Sequence, residues 1–397
     1  MKMLAVRVTR EMRILVLGTA DWDATIATNQ HFVSAGLAQL GQVEFVESLG
    51  LRRPKLNKGD RQRMMARVQA RLRLKTTEGV RRPVPHALSV NSAIVVPFHG
   101  RAAGSVNRWL VRRTARSWLR WSGARVLYAF TPTTYGLEVD SDVCVYHCVD
   151  LLASVPGISS KVIDQHESLL ARNADLAIAS SGPVARHLKS VPFHRVELLP
   201  NVADIDLFTT RAAPAQERAR RVVFAGNLVT FKVDFELLDA LADRLPAGAE
   251  LVLAGPSTTD SIVDREAIRR LTARGVRWTG ALTHLDLADL LGSAAVGLIP
   301  YRLNDYTLGV SPLKVYEYLA AGLSVVSTPL PEVQAVADDR HVVVSDRATF
   351  VDRVLTLLDV ITDEDIHTRQ DRASGHSWPA RLDLIRARID ELLTQNG

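Results

Sequence analysis

The sequence predicts an α/β protein of two doubly wound domains, and three observations carry that prediction. Its 397 residues exceed what one core usually organises and suit two domains. Short apolar runs alternate with amphipathic stretches in two separate sets, one opening at RILVLG (13–18) and one at RVVFAGNL (221–228). Strand, polar loop, helix and strand in repetition is the pattern of a parallel sheet covered by helices on both faces. Between the sets, PAQERARR (214–221) is charged and aperiodic, as a linker is. Hydrophobic residues make up 47% and charged residues 23%, enough for a core in each domain. The expected divisions are an extension over 1–11, a first domain over 12–210, a second over 211–375 and a terminal helix over 376–397.

Taken in order, RILVLG is apolar throughout, as a strand buried on both faces must be. The loop TADWDATIATNQ leads to a helix with apolar spacing at Phe32, Val33, Leu37 and Leu40, stopped by Gly41. QVEFVES (42–48) is the second strand. Gly18 alone is not a dinucleotide fingerprint. ARVLYAF (124–130) and DVCVYHCVD (142–150) continue the sheet, and 161–188 reads as helix, strand, helix. Cys144 and Cys148 share one face of their strand about 13 Å apart, too far for a disulfide, so both read as buried thiols. The second set runs RVVFAGNL, a helix near 235–245, ELVLAGPS (250–257), a helix near 264–273, VRWTGAL (276–282), a helix near 286–293, and VGLIPY (296–301). No apolar run reaches the ~18 residues of a membrane span. Charge is mixed into the opening stretch, so no secretory signal is expected and the cytoplasm is the expected location.

Two stretches stand out by charge. Between Arg52 and Arg82 there are twelve basic residues against Asp60 and Glu78, while the whole chain is only +6. Between Arg101 and Arg125 there are seven arginines and no acid, interleaved with Trp109, Trp118 and Trp121. Basic amphipathic helices with aromatics suit an anionic membrane surface. A solvated face is the plainer reading. Nucleic acid comes third, because no nucleic-acid module is recognisable.

The chemistry concentrates in SPLKVYEYLAAGLSVVSTP (311–329). Ser311 is a good N-cap, Pro312 suits the first turn, and Gly322 follows the helix end. Lys314 and Glu317 are the only charges from 312 to 321 and share one helix face. Two readings stay open. One is an exposed pair worth a few tenths of a kcal/mol. The other is an anion site, in which Gly309 and the helix start offer N–H groups, Lys314 adds a cation, and Glu317 accepts from a sugar hydroxyl.

The wider stretch IPYRLNDYTLGVSPLKVYEYLAAG (299–322) resembles the donor-site helix of GT-B glycosyltransferases, in particular the group that builds teichuronic-acid-type and other cell-surface polysaccharides. The resemblance runs from about Arg13 to Trp378. It implies two Rossmann-like domains facing across a cleft, with the helix from His376 crossing back. It implies metal-independent transfer of a sugar from a nucleoside-diphosphate donor, a UDP- or GDP-sugar, to a lipid-linked or polysaccharide hydroxyl. No other cofactor and no nucleic acid is implied, and a peripheral position on the inner face of the plasma membrane would suit such acceptors. Donor-binding positions implied by the resemblance are Gly226, Lys232, Gly255, Gly280, Leu282, Arg302, Gly309, Val310, Ser311, Pro312, Leu313, Lys314 and Glu317. Of two family glutamates separated by seven residues, Glu317 matches the second, and Gly309 stands where the first would be. Trp22, Gln30 and His31, with Asn29, match an acceptor-side opening, although an N-cap Asn and an exposed helical His would look the same. Asp150, at a strand end, is the catalytic-base candidate or a helix cap, with His147 as the backup or a core histidine. Asp140-Ser141-Asp142 matches a metal-binding DxD formally, but it precedes a strand and reads as a turn. Rival functions are a nucleotide-sugar epimerase and a non-catalytic sugar-nucleotide or membrane-binding protein.

Overall fold

A computed structural model describes residues 11–24, 26–49, 82–93, 95–96, 101–257, 261–359 and 361–396. The expected extension, apart from Glu11, and nearly all of the basic stretch from Arg52 to Arg82 lie outside the described residues. The chain forms two compact units. One comprises 1–180, 184–199 and 382–397, and the other 181–183 and 200–381.

The first unit is built on a seven-stranded, all-parallel sheet in the order β3-β2-β1-β4-β5-β6-β7. These strands are β1 (Met12–Leu17), β2 (Gln42–Val46), β3 (Leu88–Asn91), β4 (Ala124–Ala129), β5 (Val143–Cys148), β6 (Leu176–Ala179) and β7 (Val196–Leu198). β1 pairs Ile14 with Val43 and Val126, and its last four residues are fully buried, which is why the run carries no polar alternation. Cys144 and Cys148 are both buried free thiols. The helix Asn29–Leu37 ends before the expected stop. Gly41 serves close approach instead, since a Cβ there would lie 2.6 Å from the Met12 carbonyl oxygen. Strands β3 and β7 were not expected. Both are short, with half-buried residues, so neither shows a continuous apolar run.

The second unit has a six-stranded parallel sheet, β10-β9-β8-β11-β12-β13. Its strands are β8 (Arg221–Ala225), β9 (Glu250–Ala254), β10 (Arg277–Gly280), β11 (Val296–Ile299), β12 (Ser324–Ser327) and β13 (Val342–Val344). The order reverses between β8 and β11, the switch point outside which open α/β sheets bind ligands. The second unit starts earlier than the sequence suggested. Helix Ile205–Thr210 buries Ile205 and Phe208 in its core, so the linker-like 214–221 lies inside it. The last helix, Trp378–Asn396, begins in the second unit, and its residues from 382 onward belong to the first. Its Arg388 and Glu391 join Arg195 and Glu197 in an ion-pair network, with Arg195 Nη1 2.8 Å from Glu391.

Candidate functional site

The carboxyl end of the second sheet is where glycine is required. Gly226 follows β8 at φ +149°, and a Cβ there would lie 2.7 Å from Lys314 Cε. Gly255 follows β9 at φ +142°, and a Cβ there would lie 2.0 Å from the Gly226 carbonyl oxygen. Two side chains are therefore excluded so that two loops can close and Lys314 can lie across them. The loops are also tied by amides: Gly226 donates to Ala254 O and Gly255 to Gly280 O, each at 2.8 Å. Trp278 covers the outer loop, its indole nitrogen donating to Gly255 O at 2.9 Å.

Lys314 opens the helix Lys314–Ala320. Tyr318 fixes that helix to the sheet. Its hydroxyl donates to Leu298 O at 3.2 Å and accepts from the Ala225 amide at 2.9 Å, so it bridges the ends of β11 and β8. Gly297 makes room for the ring, since a Cβ there would lie 2.4 Å from Tyr318 Cδ2. Glu317, one turn on from Lys314, is buried. Burial pushes its carboxyl above the usual range, and Lys314 and His284 pull the other way. A buried carboxylate that charges at neutral pH needs donors close by, and a ligand's hydroxyls would supply them.

The start of this helix differs from the sequence reading. It begins at Lys314, three residues past Ser311, and spans seven residues. Ser311 does not cap it. Asn201 claims Ser311 instead, donating from its amide to Ser311 Oγ at 3.3 Å and from Nδ2 to Ser311 O at 2.7 Å. Gly309 and Val310 do not offer free amides either: a 3-10 turn, Thr307–Gly309, binds them to Tyr306 O and Thr307 O. Gly309 O accepts from Ser181 Oγ at 2.7 Å. Pro312 has no N–H. Among the described residues none accepts from the amides of Ser311, Leu313 and Lys314, so those three and the Lys314 ammonium are what remain for an anion. The short helix contributes little dipole, and the burden falls on the lysine.

Lys232 lies in the loop after β8, its ammonium 4.7 Å from the Tyr301 ring centroid and 5.8 Å from that of Tyr306. Leu282 packs partly against the core beside Gly280. Arg302 is brought beside Lys232. Its amide donates to Lys232 O at 2.8 Å, and its side chain lines a separate pocket. Asn201, Tyr318 and His284 escaped the sequence reading. The partner of Asn201 is 110 residues away and one of the two partners of Tyr318 is 93 away, and His284 shows only as the residue after a Thr283 cap.

In the first unit Asp150 lies two residues past β5, half-buried, with its carbonyl accepting from Cys148 Sγ at 3.3 Å. It caps no helix, because the turn Leu152–Ser154 is preceded by Leu151. His147 is a core histidine: Tyr128 Oη lies 2.9 Å from its Nδ1 and Phe130 stacks on it. Trp22, Gln30 and His31 are all buried, where the acceptor reading wanted them lining an opening. Gln30 Oε1 accepts the Thr19 amide at 2.7 Å and its Nε2 donates to Thr28 Oγ1 at 3.1 Å. Thr28, not Asn29, is the N-cap, and its amide donates to His31 Nδ1 at 3.0 Å. His31 Nε2 then donates to Asp21 O at 3.1 Å, which fits the neutral ring that burial favours. These side chains hold the loop's shape. Asp140 pairs with Arg112, and Asp142 accepts the Arg125 amide at 2.7 Å, so the DxD stretch is structural. Among the described residues there is no group of three or more His, Cys, Asp or Glu placed to hold a metal ion.

The comparisons with known proteins bear on the fold and on kinship. Residues 219–360 match the family model for glycosyl transferases group 1. The putative teichuronic acid biosynthesis glycosyltransferase TuaH of Bacillus subtilis is 28% identical over 206 residues, which are 48% of this chain and 51% of that protein. The chain thus spans about half the length of the curated relative it matches. Among solved structures, Anabaena Alr3699/HepE in complex with UDP and glucose superposes with a TM-score of 0.67 at 15% identity, over 96% of this chain and 100% of that one. Sucrose-phosphate synthase from Thermosynechococcus elongatus gives 0.67 at 14% identity, over 98% and 100%. WaaG, a glycosyltransferase involved in lipopolysaccharide biosynthesis, gives 0.60 at 12% identity, over 94% and 99%. The chain has the GT-B fold and is related to the group 1 glycosyltransferases.

Proposed function

We propose that this chain is a glycosyltransferase that moves a sugar from a nucleoside diphosphate, UDP or GDP, to a hydroxyl of a lipid-linked or polysaccharide acceptor. One observation carries the reading. At the switch point of the second sheet, Gly255 lets its loop close on Gly226, Gly226 gives way to the stem of Lys314, and the buried carboxyl of Glu317 lies one turn on. The acceptor oxygen attacks the anomeric carbon, and the bond from that carbon to the diphosphate oxygen breaks, leaving its electron pair on the diphosphate. Lys314 and the amides of Ser311, Leu313 and Lys314 meet the growing charge. Lys232, on the same loop as Gly226, adds a second cation, and Glu317 accepts from the ribose hydroxyls. Asp150, at the carboxyl end of β5, takes the acceptor proton.

The test is thermal unfolding with UDP and with GDP, on wild type, Lys314→Ala and Glu317→Ala. A ligand at about 100 times its Kd stabilises by about 2.7 kcal/mol, roughly 5–10 °C in Tm for a domain of this size. One nucleotide should give that shift, and both variants should lose most of it. A shift undiminished in Lys314→Ala sinks the site.

For the acceptor side, the helix Arg101–Thr114 and the turn Arg116–Leu119 support a membrane-facing position, with the protein in the cytoplasm. Val106, Trp109, Arg113, Arg116 and Arg120 recur at three- and four-residue spacing and are all exposed, Trp109 to 60%. Backbone bonds from Ala115 to Val111 O and from Leu119 to Ala115 O carry the helical turn across the junction. Val111, Ala115 and Trp118 face the core. Among the described residues no helix is long and apolar enough to cross a membrane, so contact would be with the surface. The partition constant onto vesicles containing anionic lipid, measured by sedimentation, should fall about thirtyfold in the Arg113→Ala/Arg116→Ala double variant, at about 1 kcal/mol per basic residue.

A further inference from the structure

A second pocket, of about 590 Å³, opens in the second unit, and neither Lys314 nor Glu317 lines it. The volume suits a small ligand, since such sites run from roughly 300 to 1,000 Å³. The loops after β11, β12 and β13 build it, together with the residues leading into helix Phe235–Arg244. Phe231 offers an exposed ring at one wall, held edge-on against Tyr306 with centroids 5.6 Å apart. Most of the polar wall is already committed. Asn304 Oδ1 accepts the amides of Tyr306 and Thr307, and its Nδ2 donates to Phe231 O at 2.7 Å. Asp346 is anchored by the Thr349 amide and hydroxyl at 2.9 and 2.7 Å. Arg347 pairs with Asp234 at 3.3 Å and with Glu236.

Arg302 is different. Its backbone is fixed at both ends, by the bond to Lys232 O and by the Thr307 hydroxyl, yet its guanidinium makes no hydrogen bond or ion pair with any described residue. A rigid wall that leaves one guanidinium unengaged suits a ligand carrying one anionic group. The carboxylates of Asp234 and Asp346 at the same wall disfavour a purely apolar anion and suit hydroxyls. The exposed ring of Phe231 suits the C–H face of a pyranose. A neutral sugar would leave Arg302 unanswered. We propose that this pocket binds an acidic sugar, a hexose bearing a carboxylate or a phosphate. The proposal stands apart from the donor reading. The two sites adjoin at Tyr301, which lines the pocket and carries Lys232 over its ring, and at Arg302, whose amide holds the Lys232 carbonyl.

Isothermal titration of the full chain with glucuronate, glucose 1-phosphate, glucose and inorganic phosphate tests it. At least one of the two acidic sugars should bind one-to-one, and glucose and inorganic phosphate each about tenfold more weakly. Arg302→Ala should weaken the acidic sugar by about tenfold or more, and Arg302→Lys by less, since lysine keeps the charge and loses the fork. Phe231→Ala should weaken it without touching the charge. Lys314→Ala should leave it unchanged. Binding of glucuronate alone identifies a carboxylate, and of glucose 1-phosphate alone a phosphate. The proposal is overturned if neither acidic sugar binds, if glucose or inorganic phosphate binds as tightly, or if Lys314→Ala abolishes binding that Arg302→Ala spares. UDP and GDP titrated in parallel report on the donor site, so its failure is read separately.

Discussion

The carboxyl ends of the two sheets solve opposite problems with the same architecture. Beside β1, most of the polar side chains are spent on the loop itself, the buried Trp22 indole N–H being an exception among the described residues. Gln30 holds the Thr19 amide, His31 bridges Thr28 and Asp21, Glu47 holds the Trp22 amide at 2.9 Å, and Arg82 donates to the carbonyls of Trp22 and Ala24. Beside β8, glycines remove side chains, and a lysine and a buried carboxyl are left with little to do in the protein itself. A satisfied loop end is stable and unreactive. An unsatisfied one carries a cost in stability that a ligand can repay.

Three substitutions probe that contrast, from the largest effect to the smallest. Gly255→Ala puts a methyl 2.0 Å from the Gly226 carbonyl oxygen at a φ that alanine resists. It should destabilise by about 3 kcal/mol in urea unfolding and abolish the nucleotide-dependent Tm shift. Gln30→Leu removes the acceptor of the part-buried Thr19 amide and should cost about 1 kcal/mol, while nucleotide affinity stays at the wild-type value. If nucleotide affinity falls as well, the loop beside β1 is more than a scaffold. Glu317→Gln separates stability from binding through pH. The folded carboxyl is raised, so the wild type binds more protons folded than unfolded. Its contribution is therefore fully present below the unfolded value near 4.3 and is lost as pH rises through the folded value. The variant should lack that decline and be more stable than wild type at pH 7 without ligand, yet weaker in nucleotide binding. Urea midpoints across the acid range, with and without nucleotide, would show it.

What the sequence disclosed followed the range of the forces involved. Buried parallel strands such as VVFA and LVLA need only their own apolar side chains to be recognised, and they appear where expected. β13 and β3 are too short to stand out from the loops around them. At the site, Lys314 and Glu317 were legible because three-residue spacing on a helix is local. The helix start was not. Ser311 and Pro312 form a good local cap signal, but Asn201, 110 positions away, takes the serine. That the Arg302 backbone is tied to the Lys232 carbonyl, 70 positions away, was hidden for the same reason. His31 looked like an exposed helical residue and proved to be a buried partner of the cap, because burial depends on what lies across the loop.

The helix Trp378–Asn396 bears on the order of synthesis. Leu382 packs on Gly36, where even a Cβ would come within 2.3 Å of it, and Asn396 reaches Asp142 O and Asp175. The first unit is therefore completed by residues that leave the ribosome only after the whole of the second unit. At roughly 5–20 residues per second, the nascent first sheet waits on the order of ten seconds or more for its last helix. During that interval the surface around Gly36 is without the Leu382 side chain that covers it in the finished fold.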